Sequence, residues 1–240
     1  MKNKLDQSFG YQRVTTDERQ QRIRSVFDAV APRYDLMNDT MSFGIHRLWK
    51  RALARMANPQ PGQVVVDLAG GTGDVASKMS AAGRRTIIVD PSLAMMEQGR
   101  AGNPSEIEYV ASSGETLALA DDSADTLTIA FGMRNMTRMD TALAEILRIL
   151  KPGGRCLCLE FSKPHALIKP FYDLHSFHVI PRLGAWIARQ PMAYNYLVES
   201  IRKFPDQEEM KKLMEQTGFR NVNYRNLSFG IACIHEGTKP

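Results

Sequence analysis

VVVDLAGGTGD, Val64 to Asp74, is the stretch whose reading decides the fold. Apolar and β-branched residues lead to an acid, Asp67, and then to a loop carrying Gly70, Gly71 and Gly73. After it Val75, Ala76, Met79 and Ala82 recur at helical spacing. That is strand, tight glycine turn and helix, the opening βα unit of an open α/β sheet. Glycines let the backbone come close to a ligand, and a helix start offers free N–H groups. A ligand site at this turn is the first expectation.

Outward from the turn, strand and helix keep alternating. Thr86–Val89 is a short buried strand ending at Asp90, and Pro91-Ser92 opens a helix over LAMMEQGRA. Ile107–Ala111 gives a third strand and Thr126–Phe131 a fourth, followed by GMRNM and a helix from Thr141 to Leu150. Lys151-Pro152-Gly153-Gly154 is a turn before a fifth strand, Arg155–Phe161. This order predicts a parallel sheet with helices on both faces. A polar helix, Asp206–Thr217, stops at Gly218. Two closing strands near Val222–Leu227 and Gly230–His235 should pair as a hairpin.

Two regions stand outside the alternation. At the N-terminus Ile23, Val26, Phe27 and Val30 fit a helix over residues 17–31, with Thr16 or Asp17 as its cap and Pro32 ending it. YDLMNDTMSFGIHRLW, Tyr34 to Trp49, follows; it is dense in methionine, aromatic and hydrogen-bonding residues, and a helix runs from Ile45 to Ala57. Residues 163–204 carry Phe171, Tyr172, Phe177, Trp186, Tyr194 and Tyr196 with several prolines, and read as an inserted helical segment. The expected organisation is one domain over 1–240, with 1–58 as a helical cap and 163–204 on the substrate side.

The 240 residues, 43% hydrophobic and 24% charged, exclude a disordered or collagen-like chain. No apolar run approaches the ~20 residues of a membrane-spanning helix, and the first residues lack a signal-peptide core, so a cytoplasmic protein is expected. Cys156, Cys158 and Cys233 fit no metal or disulfide spacing and are expected to be core thiols. His175 and His178 sit three apart without an evident third ligand, so no metal is expected. The net charge is +5, and residues 1–58 hold eleven Lys/Arg against six Asp/Glu. That surplus suits anionic lipid headgroups, nucleic acid or an ordinary solvated surface.

Gly71-Thr72-Gly73-Asp74-Val75-Ala76 fits G-x-G-x-x-A, a weak signal by itself. Asp67 sits where it could reach a ligand's amine, and Asp90 where a ribose diol is held. An adenosyl ligand with an amino-acid tail uses both acids. A nicotinamide cofactor uses the second acid, but places its pyrophosphate on the loop.

This pattern, with the LKPGG turn and the terminal hairpin, resembles the class I S-adenosylmethionine-dependent methyltransferases. YDLMNDTMSFGIHRLW and RILKPGGRCLCLEFS resemble the two signature segments of the ubiquinone/menaquinone biosynthesis C-methyltransferases. AFGMRNM, HSFHVIPRLG and YLVESIRKFPDQEEM are similar to that family as well, and the likeness runs from about residue 9 to the C-terminus. It implies an α/β, Rossmann-like open sheet of about seven strands, mostly parallel, with a C-terminal antiparallel hairpin. It also implies methyl transfer from S-adenosyl-L-methionine to a ring carbon of a polyprenylated quinol. Family cofactor contacts map onto Thr72, Asp90, Ser113-Gly114 and Ala130. Ser113 stands where an acid or amide is frequent, and Ala130 where serine is.

Carbon methylation needs an electron-rich ring, hence a quinol, and the quinol hydroxyl must lose its proton as carbon attacks. Arg134 and Asn135, after the fourth strand, are placed to steady an oxyanion or polarise a water. His46, Tyr34, Asp35 and Asn38 lie in the first signature, which would cap the site. Ile168, Phe171, Phe177, Val179, Ile180, Trp186 and Ile187 offer an apolar wall for a prenyl tail; with the basic N-terminal part they would favour peripheral membrane contact. No nucleic-acid module is legible. Competing readings are another small-molecule methyltransferase and an assembly subunit of a membrane-associated complex; a homo-oligomer stays open.

Overall fold

The computed structural model describes residues 8–9, 12–31, 34–168, 170 and 191–240. The chain opens with a small antiparallel pair, β1 (Ser8–Phe9) and β2 (Gln12–Arg13), then helices α1 (Thr16–Val30), α2 (Tyr34–Ser42) and α3 (Ile45–Ala57). The alternating part follows: β3 (Val64–Leu68), α4 (Asp74–Met79), β4 (Arg85–Asp90), α5 (Leu93–Arg100), β5 (Glu108–Ala111) and β6 (Ala124–Ala130). A 3-10 turn (Met133–Asn135) leads to α6 (Met139–Ile149) and β7 (Leu150–Phe161). The last elements are α7 (Pro191–Lys203), α8 (Gln207–Thr217), β8 (Arg220–Leu227) and β9 (Ala232–Thr238).

Seven strands form one sheet in the order β5-β4-β3-β6-β7-β9-β8. Strands β3 to β7 run parallel, while β9 is antiparallel to both β7 and β8. Alternation along β3 sends Val66 and Leu68 to one face, under Leu143, Ile146, Met210 and Met214 of α6 and α8. Val65 goes to the other face, under Trp49 and Leu53 of α3 and Val75 and Met79 of α4. Asp67 shares that second face, two residues on. The order reverses beside β3, where β4 and β6 flank it, and open α/β sheets form their ligand crevice at such a point.

Three local features differ from the sequence reading. The cap of α1 is Thr15, because Thr15 and Glu18 form a reciprocal capping box that Thr16 and Asp17 lack. Tyr34–Ser42 is a helix, α2, burying Met37 and Met41. The expected turn at Lys151–Gly154 lies inside β7. Its partners step from Ala124↔Leu150 to Thr126↔Arg155, so the turn bulges out of a continuing strand, with Gly153 at φ +77°. All three cysteines are buried free thiols, as expected. His175, His178 and most of the expected apolar wall lie outside the described residues.

The glycine turn is sterically fixed. Gly73 has φ +83°, and a Cβ there would meet Ile88 Cδ1 at 2.8 Å and the Asn103 amide closer still. Gly73→Ala should lower stability by about 1–3 kcal/mol, through left-handed strain and overlap together. Urea unfolding measures this, and a loss within about 0.5 kcal/mol would mean the turn relaxes.

Candidate active site

The cleft lies beyond the carboxyl ends of β3, β4 and β6, enclosing ≈ 1120 Å³ including its open mouth. Asp67, Gly70, Gly71, Thr72, Asp90, Ser113, Gly114 and Ala130 all line it. Gly73 does not; it shapes the turn from behind, its N–H bonded to the Gly70 carbonyl at 2.8 Å.

Asp67 is almost wholly buried. Its Oδ1 accepts the Thr128 hydroxyl at 2.7 Å and its Oδ2 the Ala76 N–H at 3.1 Å. Burial pushes its pKa up to about 7, against the pull of the Thr128 hydroxyl and the Lys50 ammonium. Asp90 accepts the Gly71 N–H at 2.9 Å and the Ser92 N–H at 2.8 Å, and burial raises it to about 6. A Cβ on Gly71 would enter the contact shell of Met95 Cε at 3.0 Å, so the turn is kept bare where a ligand would lie. At the far end Met136 packs on Gly114, where a Cβ would stand 2.7 Å from its Cε. Nearby, buried Glu115 holds the next loop by accepting the N–H groups of Thr137 at 2.6 Å and Arg138 at 3.2 Å.

The N-terminal helices cover this cleft. Ile23 and Phe27 of α1 and Tyr34 of α2 form part of its wall. Arg19, fully buried, clamps α1 down: its guanidinium donates to the carbonyls of Ser8, Arg134 and Asn135 and to the Thr137 hydroxyl. On the other side the Ser92 hydroxyl donates to Asp28 at 2.6 Å.

A second cavity, largely apolar, adjoins the first and shares Tyr34, Lys50 and Phe131 with it. Trp49, Phe131 and Phe161 meet in its wall with ring centroids 4.7–6.2 Å apart. The Trp49 indole N–H is satisfied by Ser228 at 2.9 Å. His46 lines this cavity, with Nδ1 2.7 Å from Ser42 Oγ. The Ser42 hydroxyl also lies 2.7 Å from the Asn38 carbonyl; where it donates there, it accepts from His46 Nδ1 and leaves Nε2 its lone pair. Nε2 lies 3.8 Å from Asp39, which Arg47 grips through two bonds of 2.6 Å. Burial, then the Lys50 charge, lower His46 to about 4, so the ring is neutral at neutral pH.

Arg134, expected after the fourth strand to steady an oxyanion or polarise a water, follows β6 in the 3-10 turn Met133–Asn135. It is buried, and its Nη1 donates to both Glu160 oxygens, at 3.0 and 3.2 Å, and to the Phe131 carbonyl. The side chain still lines the second cavity. Asn135 lines the first; its amide donates to Phe131 O at 3.3 Å and its Oδ1 accepts the Tyr196 hydroxyl at 2.9 Å. Asp35, expected in the cap, accepts the Thr72 hydroxyl at 3.4 Å. The sequence reading passed over Lys50, Glu115 and Glu160. Lys50 had a signal, since it follows His46 by four residues and shares its helix face; Glu115 and Glu160 had none, because their partners are remote in sequence.

The chain matches the model of the ubiE/COQ5 methyltransferase family over residues 15–239. It is 63% identical to the ubiquinone/menaquinone biosynthesis C-methyltransferase UbiE of Rubrivivax gelatinosus, covering 98% of this chain and 94% of that protein. It is 45% identical to the UbiE of Shewanella pealeana over 96% of each. Among solved structures it resembles a SAM-dependent methyltransferase of Thermotoga maritima, at TM-score 0.68 and 20% identity over 91% of this chain and 100% of that one. It also resembles a Haemonchus contortus phosphoethanolamine N-methyltransferase bound to S-adenosyl-L-methionine, at TM-score 0.60 and 15% identity over 80% and 52%. The fold is that of the class I methyltransferases, and the chain belongs to the ubiE/COQ5 methyltransferase family.

Proposed function

We propose that this enzyme, a C-methyltransferase of ubiquinone/menaquinone biosynthesis, methylates a ring carbon of a polyprenylated quinol held in the second cavity. One observation carries the reading: an apolar, aromatic-walled cavity adjoins the cofactor cleft, with Tyr34, Lys50 and Phe131 lining both. A hydrophobic ring seated there lies beside whatever the cleft holds, and that alignment is much of the catalysis.

Bound S-adenosyl-L-methionine supplies a sulfonium methyl that is already activated for transfer. Asp67 takes its ammonium, Asp90 its ribose hydroxyls, and Ser113-Gly114 with Ala130 flank the adenosine through backbone. Residues 1–58 act as a cap and 163–204 as the substrate-side segment of one domain. His46 Nε2 accepts the quinol hydroxyl proton, and Asp39 then faces the imidazolium. Arg134, fixed by Glu160, steadies the quinol oxygen, while Tyr34 lines both cavities and Asn135 the first. No described helix is long and apolar enough to cross a membrane. Exposed Phe43 and Phe229 at the second cavity offer the apolar contact that a prenyl tail drawn from a bilayer would meet.

Three outcomes test the reading. Purified enzyme should methylate a short-chain demethylmenaquinol or 2-methoxy-6-prenyl-benzoquinol under reducing conditions and leave the quinone form untouched; mass spectrometry places the methyl on carbon or overturns it. His46→Gln should lower kcat by roughly 10²–10⁴-fold while S-adenosylhomocysteine binds within about twofold of wild type. A variant that keeps its kcat would remove His46 from the chemistry.

The third outcome is a pH dependence. Free Asp67, at about 7, is partly protonated at neutral pH. Lys50 favours its charge and Asp74 opposes it. A bound ammonium favours the carboxylate, so binding must expel the proton wherever pH lies below about 7. Affinity for S-adenosylhomocysteine should therefore weaken as pH falls from 8 to 6, with proton release seen as buffer-dependent heat in calorimetry. Asp67→Asn should lose that dependence.

A further inference from the structure

We infer that Lys50 binds the α-carboxylate of S-adenosyl-L-methionine. The cofactor's amino-acid tail is a zwitterion. The readings above give its ammonium a partner in Asp67 and leave its carboxylate none. The cleft itself is rich in acid: Asp67, Asp74, Asp90 and Glu115 all line it. A carboxylate enters such a place only where a cation meets it.

Two described cations line the cleft, Arg24 and Lys50. Arg24 is exposed on α1. Lys50 is buried, its side chain 9% exposed, and its Nζ stands 3.1 Å from Asp74 Oδ2. Asp74 opens α4, directly after the glycine turn, and is also paired with Lys78. Of the other buried cations nearby, Arg134 is bound to Glu160 and lines the second cavity, and Arg19 is bound to the carbonyls of Arg134 and Asn135. An ammonium has three donors, and Asp74 uses one.

The charge is secure as well. Burial works against it, but Tyr34, Asp74 and Asp35 outweigh that and raise the Lys50 pKa. Asp74, drawn down to about 2 chiefly by Lys50 against its own burial, stays ionised and cannot take the proton. Lys50 is thus a permanent cation next to the turn, within the electrostatic reach of Asp67 that a bound α-amino acid also needs. One buried lysine and one buried aspartate form a receptor for both ends of the tail. Its placement at the wall shared with the second cavity ties cofactor seating to the acceptor side.

The inference rests on the cofactor assignment, and the test separates the two by using three ligands in calorimetry. S-Adenosylhomocysteine carries both charged groups, its decarboxylated analogue keeps only the ammonium, and methylthioadenosine has neither. Lys50→Gln should weaken S-adenosylhomocysteine roughly 10–100-fold. It should leave the other two ligands within about twofold, while Lys50→Arg keeps most of the affinity. The double variant Lys50→Gln/Asp74→Asn, which leaves no unpaired carboxylate, should show the same selective loss. Unchanged binding of S-adenosylhomocysteine would overturn the inference, including the case where kcat alone falls because Lys50 serves the acceptor oxygen. Equal loss for all three ligands would overturn it too, as the mark of a purely structural lysine. Failure of the wild type to bind any of the three would strike the cofactor assignment instead.

Discussion

One buried carboxylate holds the centre of this molecule together. Asp67, next to last in β3, receives the Thr128 hydroxyl from the neighbouring strand and the Ala76 N–H from the helix after the glycine turn. Three elements therefore meet on a single side chain that water barely reaches. Taking it out of water costs free energy, which its two hydrogen bonds and the nearby ammonium of Lys50 only partly offset, and its pKa sits near neutrality as a result. Such a group is poorly balanced in the empty protein and well balanced once an ammonium arrives. The same residue thus sets the geometry of the turn and makes the turn receptive to a cation.

Around that point the fold arranges two kinds of space. The cleft above the parallel strands is polar at its floor, where Asp67 and Asp90 face the bare glycine turn. The adjoining cavity is walled by Trp49, Phe131 and Phe161, whose polar tip, the Trp49 indole N–H, is turned aside to Ser228. The two spaces therefore offer a ligand different chemistry, carboxylates in the first and aromatic rings in the second. The covering helices complete the enclosure, and Arg19 is the tie. It donates to the Arg134 and Asn135 carbonyls and the Thr137 hydroxyl in the loop after β6, so α1 and the Arg134–Thr137 stretch keep one spacing.

Much of this was legible in the sequence because it depends on neighbours in the chain. The glycine turn, the acids near the ends of β3 and β4 and the closing hairpin all follow from local spacing, and the structure places each of them where that spacing says. What escaped depends on contacts across the chain. Glu160 is one more residue of an apolar strand until Arg134 is brought under it, and Glu115 resembles a loop acid until it meets the Thr137 backbone. The helix over Tyr34–Ser42 was hidden for a different reason. Its weak propensity residues, Tyr, Asn, Asp and Thr, give no strong local signal, and burial of Met37 and Met41 decides the matter.

His46 and Lys50 show how the two halves of the site depend on one another. They stand one turn apart on α3 and share a face toward the cavities. The permanent charge of Lys50 adds to burial in keeping His46 neutral, so the helix presents a cation and an uncharged base side by side. Either order alone would be less useful. A protonated His46 would have no lone pair with which to accept a proton, and a neutral Lys50 would leave Asp74 to Lys78 and remove a charge that favours the Asp67 carboxylate. Burial and the Lys50 charge together keep His46 neutral, and through Asp74 Lys50 ties this helix to the start of α4.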